Sequence, residues 1–228
     1  MKKNIIVLDT ETAGTFGKPF VYDFGFVVAD LYGNILYKFS TVIAETFLDK
    51  KLMDTAYYSE KIPNYNRDIR NGKRACMSFE TAKQIFKMAI EKWHIKEVFA
   101  YNVNFDIRAL NNTSTVLTGQ KFFNDGLMLR DIWSMASCAL MSTRKYFDFA
   151  MSHSLVTEKG NLKTSAEACF QFLTDNAQFI EDHTALEDVE IEYEILLACK
   201  RKKKKLVDNL PQPWRVVNKL AREKGALV

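Results

Sequence analysis

Apolar and polar positions divide the chain into segments of two different periods. Asn4-Ile5-Ile6-Val7-Leu8-Asp9 is a continuous apolar run closed by a carboxylate, the pattern of a strand covered on both faces of an α/β sheet. Residues 21–30 and 35–44, rich in Val, Phe, Ile and Tyr, predict two more strands, and Leu31-Tyr32-Gly33-Asn34 supplies a hairpin turn between them. From 45 to about 71 no period holds; a helix is expected near 50–59 and a break at Pro63. Ser78 then opens an amphipathic helix in which Phe79, Ala82, Ile85, Phe86, Ala89 and Ile90 recur at helical spacing. Residues 97–101 predict a fourth strand, running directly into a helix from Asn102–Asp106 to about 111, and residues 127–129 a short fifth, with helical material from Ile132.

Two segments have capping-box spacing. Thr164-Ser-Ala-Glu167 predicts a short helix to about 173, and Thr184-Ala-Leu-Glu187 a long one to about 203, with Leu186, Val189, Tyr193, Leu196 and Leu197 in helical period. Leu210-Pro211-Gln212-Pro213-Trp214 interrupts the pattern before a last amphipathic stretch. Three strands followed by alternating helices and strands predict an α/β fold, a central mixed five-stranded sheet flanked by helices. The organisation expected is one domain over 1–205 and a C-terminal extension over 206–228 that packs Trp214 back onto it.

Composition narrows the class. In 228 residues, 47% hydrophobic and 26% charged, there is material for one ordinary core, and no apolar run is long enough to span a bilayer. No signal peptide is visible, so a cytoplasmic protein is expected. Cys76, Cys138, Cys169 and Cys199 are too far apart for a zinc ribbon or a redox pair and are expected as reduced thiols. Six of the positive charges form one run, Lys200–Lys205; without them the formal +4 becomes −2, so attraction to polyanions is concentrated there. The run has three readings: a solvated helix end suited to the dipole, a patch in which Lys202, Lys203 and Lys204 track a nucleic-acid backbone, or a nuclear import signal.

The chemistry lies in three acidic segments. Asp9-Thr10-Glu11 puts two carboxylates past a buried strand, where ligands of open α/β sheets gather. An Asp-x-Glu triplet is weak by itself, since about one arises by chance in a chain this long. Asn102-Val-Asn-Phe-Asp106 adds a carboxylate after another strand; Asn102 or Asn104 suits the helix cap and Asp106 its first turn. His183-Thr-Ala-Leu-Glu-Asp188 brings a histidine just outside a helix and an aspartate in its first turn. Four carboxylates in one place repel unless cations offset them, and hard dications prefer carboxylate oxygens. A pair of such ions serves phosphodiester hydrolysis, and a neutral histidine can take the proton of the attacking water. His94 and His153 match no motif and are expected at the surface or at helix ends; Asp131 is expected as a helix cap.

These segments resemble the exonuclease motifs of the DEDDh branch of the DnaQ-like 3′–5′ exonuclease family, in the RNase H-like superfamily. Asp9-Thr10-Glu11-Thr12 looks like the first motif, Asn102-x-x-Phe105-Asp106 the second and His183-x-x-x-x-Asp188 the third, in order over roughly residues 4–200. The resemblance implies an RNase H-like fold, Asp9, Glu11, Asp106 and Asp188 as ligands of two Mg²⁺ or Mn²⁺ ions, and His183 as general base. It implies release of nucleoside 5′-monophosphates from the 3′ end of single-stranded nucleic acid, with DNA favoured over RNA. Thr10, Thr12, Ala13, Asn102 and Phe105 are the implied contacts to the terminal nucleotide. Tyr101, where many relatives carry histidine, and residues 14–20 depart from the pattern and bear on substrate fit. An RNA-trimming enzyme with the same site, a binding module that lost the reaction, and a tail that docks a polymerase or other replication partner all stay open, as does the oligomeric state.

Overall fold

The apolar start of the chain becomes the middle of a sheet. In the computed structural model, which describes residues 3–123, 126–202 and 205–223, β1 (Asn4–Thr15) pairs antiparallel with β2 (Lys18–Asp30) and β2 with β3 (Ile35–Ile43). β4 (Cys76–Met77) adds a parallel edge to β3; β5 (Glu97–Ala100) lies parallel to β1 on its other side, and β6 (Met128–Asp131) lies parallel to β5. The order is β4-β3-β2-β1-β5-β6, six strands where the sequence pattern predicts five. The additional strand is two residues long, too short to carry a readable period.

Helices fill the connections: α1 (Ala44–Phe47), α2 (Lys50–Met53), α3 (Ile62–Arg70), α4 (Phe79–Trp93), α5 (Val103–Thr118), α6 (Ile132–Ala136), α7 (Arg144–Ser152), α8 (Ala166–Thr174), α9 (Ala185–Arg201) and α10 (Pro213–Glu223). Alternation along β1 divides the core in two. Ile5 and Val7 pack with Phe99 under α9 and the 132–172 helices, while Ile6 and Leu8 pack with Phe24, Phe26 and Val98 under α4 and α5. Both faces of β1 are therefore covered, as its unbroken apolar run predicts.

Several boundaries differ from expectation. Pro63 does not break the chain; it stands in the first turn of α3, where a missing N–H costs nothing. The helix expected near 50–59 shrinks to α2. α5 continues to Thr118, seven residues past its expected end, and stops at Gly119, a left-handed C-cap with φ 72°. The cap of α8 is Ser165 rather than Thr164: its hydroxyl accepts from the Ala168 N–H at 3.2 Å. In α10, Val217 and Ala221 are buried against the core, and the Leu162 N–H donates to Asn218 at 2.7 Å; Trp214 is half-buried. The thiols are free, Cys169 and Cys199 buried and Cys76 exposed. No helix among the described residues is long and apolar enough to cross a membrane.

Candidate active site

β1 fixes where the first two carboxylates point. Asp9 and Glu11 follow Ile5 and Val7 onto the face covered by α9, whereas Thr10 follows Ile6 and Leu8 onto the face covered by α5. β1 does not end at Asp9, as the run of apolar residues suggests; β2 stays paired beyond it, with Gly25 opposite Asp9 and Asp23 opposite Glu11. β5, however, pairs with β1 only at Ile6 and Val7. The carboxylates thus lie inside a strand yet past the end of its parallel pairing, where open α/β sheets leave a crevice.

α9 enters over this crevice because residues of β2 admit it. A Cβ on Gly25 would meet the backbone of Ala185 and Leu186 at 2.6–2.8 Å, so the helix start lies directly on the strand. Asp23, fully buried, accepts from the Ala185 N–H (3.2 Å), the Tyr65 hydroxyl (2.7 Å) and Arg74 (3.0 Å). Asp23 thereby satisfies the first free N–H of α9 from outside the helix. The Thr184 hydroxyl instead donates to Glu187 at 2.6 Å and caps no N–H. This anchoring sets Asp188 over the strand: Asp9, Glu11 and Asp188 each offer an oxygen, all within 4.8 Å of one another.

Asp106 arrives from the other side. The chain leaves β5 through Asn102, a non-glycine residue in the left-handed region (φ 65°), and three backbone donors of the turn find carboxylates. The Tyr101 N–H donates to Glu192 (3.0 Å); those of Asn102 and Val103 donate to Asp131 Oδ1 (2.9 and 3.3 Å). Asp131 is a helix cap as expected, accepting from the Ser134 N–H at 2.9 Å, and holds this turn as well. Asp106, buried in the first turn of α5, accepts from the Thr10 hydroxyl at 2.8 Å.

The carboxyl groups of the floor resist ionising together. Burial first, then repulsion among neighbours, pushes Asp9 and Glu192 well above the usual carboxylate range, Glu11 up to about 9 and Asp188 to about 8. Burial also raises Asp106, to about 7, against the pull of the Thr10 hydroxyl. Asp188 Oδ1 is buried with no hydrogen-bond donor among the described residues. A crowd of carboxylate oxygens with an orphaned acceptor among them is the donor set that a hard divalent cation fits.

His183 stands at the rim, on the loop between α8 and α9, with φ 51°. Its ring stacks on Tyr58 (centroids 4.1 Å apart, planes 12° off parallel), and its Nδ1 lies 3.7 Å from a Glu181 oxygen. The Lys61 ammonium donates to the Asp182 carbonyl, tying the Tyr58 segment to the histidine's loop. Burial and the Lys61 charge lower the imidazole below its ordinary value, so it is neutral at neutral pH.

Asp9, Glu11, Asp106, Asp188, Glu192, Glu181, Tyr58 and His183 line one cavity of about 630 Å³, together with Tyr57, Tyr101, Glu167 and residues 163–166. Of the expected nucleotide contacts, Thr10 and Phe105 line it. Ala13 does not: a register shift between Glu11 and Thr12 resets the alternation, and Ala13 is buried with Tyr22, Val42 and Phe47. Thr12 is half-buried and Asn102 exposed, both outside the lining, and Asn102 serves the turn through its backbone. Lys202 is the exposed C-cap of α9, about 20 Å along the helix from Asp188; Lys203 and Lys204 lie outside the described residues. Sequence reasoning missed Glu192, Asp23, Gly25, Glu181 and Tyr58. Glu192 had a signal, since four residues after Asp188 is the same helix face. So did Gly25, a glycine inside an apolar strand, which marks a close approach of backbone.

No protein-family model matches the sequence, and no curated protein matches it. Solved structures do. E. coli Exonuclease I in complex with a dA16 oligonucleotide aligns with a TM-score of 0.57 at 12% identity, over 94% of this chain and 42% of that one. Its complex with a 5cy-dT13 oligonucleotide gives 0.57 at 11%, with the same coverage. Cell-death related nuclease 4 (CRN-4) gives 0.54 at 14%, over 91% of this chain and 67% of that one. The fold is thus the RNase H-like α/β arrangement these structures share, and the chain spans less than half the length of the Exonuclease I chains it matches.

Proposed function

We propose that this chain is a divalent-cation-dependent 3′–5′ exonuclease. It hydrolyses the terminal phosphodiester bond of single-stranded nucleic acid, DNA in preference to RNA, and releases nucleoside 5′-monophosphates. The observation that carries this reading is the convergence of Asp9, Glu11, Asp106 and Asp188 from β1, α5 and α9 in one cavity with a neutral imidazole at its rim. Exonuclease I, solved in complex with dA16 and 5cy-dT13 oligonucleotides, has the same fold and lends support to the substrate class.

Asp9, Glu11, Asp106 and Asp188 would hold two Mg²⁺ or Mn²⁺ ions, whose charge offsets that developing on the attacking and leaving oxygens. The protein's own groups do the rest. Thr10 fixes the Asp106 carboxylate through its hydroxyl. His183, unprotonated at neutral pH, accepts the proton of the attacking water. Phe105 offers an aromatic face in the cavity wall against which a terminal base can stack.

The test uses 5′-labelled single-stranded DNA, single-stranded RNA and duplex with Mg²⁺ or Mn²⁺. The expected result is a ladder shortening from the 3′ end, slowed about 10³-fold or more in Asp106→Ala, since a metal's several kcal/mol of charge stabilisation is lost. Undiminished cleavage by the variant, or no cleavage of any substrate by the wild type, overturns the proposal.

A further inference from the structure

Beside the acidic floor lies a second set of donors that the proposed reaction does not use in full. Glu167 stands in the first turn of α8, and Glu181 and His183 stand in the loop leading into α9. One oxygen from each glutamate and one imidazole nitrogen all lie within 4.8 Å of one another. The trio is braced: the Glu181 N–H donates to a Glu167 oxygen at 3.1 Å, and the stack on Tyr58 restrains the imidazole.

Glu181 itself points to a ligand. It is only 8% exposed, and its carboxylate takes no hydrogen bond from any described residue; His183 Nδ1, at 3.7 Å, lies beyond hydrogen-bond reach. A buried carboxylate is costly unless it is paired or bound to a metal. Two carboxylates and one imidazole form a mixed oxygen–nitrogen set. Mg²⁺ favours oxygen and its own waters, whereas Zn²⁺ accepts imidazole and carboxylate together and completes a three-ligand site with a solvent molecule.

We propose that Glu167, Glu181 and His183 form a Zn²⁺ site whose occupation withdraws His183 from proton transfer. The binding half stands by itself; the withdrawal rests on the function proposed above. The chemistry of the withdrawal is simple. A neutral imidazole has one free lone pair, and once that pair is given to a metal the other nitrogen carries the proton, leaving no acceptor for the attacking water. Zinc would thus stop cleavage without entering the acidic floor.

Binding is read first without activity. In a chain carrying Asp9→Asn, Asp188→Asn and Cys76→Ser, which removes the acidic floor and the exposed thiol, Zn²⁺ is titrated while histidine ring signals are followed by NMR. The chain has only three histidines, so His183 is assigned by its loss in His183→Ala. One equivalent of zinc should move the His183 signals and leave those of His94 and His153. Adding Glu167→Gln, which still accepts from the Glu181 N–H, should weaken zinc at least about tenfold in a chelator competition. Unmoved His183 signals, or equal affinity in Glu167→Gln, overturns the site. If the combined background unfolds, the same titration is run on wild type with Mg²⁺ in excess.

Activity is read second. Zinc should slow Mg²⁺-supported cleavage by the wild type, and about tenfold more zinc should be needed in Glu167→Gln, each protein compared with its own zinc-free rate. Zinc bound at His183 with cleavage undiminished overturns the withdrawal. Absence of all cleavage with zinc still bound at His183 overturns the nuclease reading and upholds the site.

Discussion

The acidic floor and the histidine rim are held in opposite ways. Asp9 and Glu11 lie within a strand paired along β2, Asp106 and Asp188 in the first turns of helices, and each segment is braced by buried polar groups. His183 hangs on the 175–184 loop with a left-handed backbone, held by a ring stack and a lysine bond from the Tyr58–Lys61 segment. The difference follows from the work proposed for each. Ligands of a cation pair must keep their spacing against mutual repulsion, which secondary structure ensures; a base must approach water and then lose its proton, which a loop allows.

The comparison can be broken in three ways, taken from the largest effect to the smallest. His183→Ala should lower kcat by about 10²–10⁴-fold while the affinity for Mg²⁺ or Mn²⁺ and the melting temperature stay as in wild type. Loss of Mg²⁺ or Mn²⁺ binding, measured by calorimetry, would show that the rim and the floor are one unit after all. Gly25→Ala probes the floor, because the added methyl would overlap the backbone of Ala185 and Leu186. The expected cost is about 1–3 kcal/mol in denaturant unfolding, and about a 10²-fold loss of rate if Asp188 shifts by about 1 Å. Wild-type stability and rate in this variant would mean that α9 does not need its close seat.

The third test is pH. The raised carboxyls of Glu11, Asp188 and Asp106 bind more protons folded than unfolded between about pH 4 and about 9. Their contribution is present at low pH and is lost as pH rises through the folded values. Metal-free protein should therefore melt lower at pH 9 than at pH 5 by at least about 2–4 °C, the shift about 1 kcal/mol gives at this size, and Mn²⁺ should flatten that slope. A level profile without metal would contradict the crowding of charge on the floor.

What the sequence disclosed depended on whether the cause was local. The central strand was legible because Ile5–Leu8 is buried on both sides, and α4 and α9 because their apolar residues keep a helical period. The second and third acidic segments were legible because each stands at a helix start, and the first because it closes an apolar run, although β1 continues past it. What stayed hidden depends on partners distant in sequence. Asp23 looked like one more strand residue, yet it caps a helix 162 positions away. Glu181 and Glu167 meet only because a loop folds back, and Ala13 turned inward because of a bulge between Glu11 and Thr12 that leaves no mark in composition.

The borders of the sheet have a consequence for how copies of the chain behave in a crowded solution. An outer strand with free N–H and C=O groups invites another chain to add to it, the first step of edge-to-edge aggregation. Here one border, β4, is two residues long and gives an incoming strand almost nothing to grip. The other, β6, is screened: the Asp131 N–H donates to the Asp208 carbonyl at 3.2 Å, and Arg130 bonds both Glu97 and Asp208. The segment after α9 thus occupies a place where a foreign strand would otherwise dock. Shortening the chain before residue 208 would expose that border to self-association.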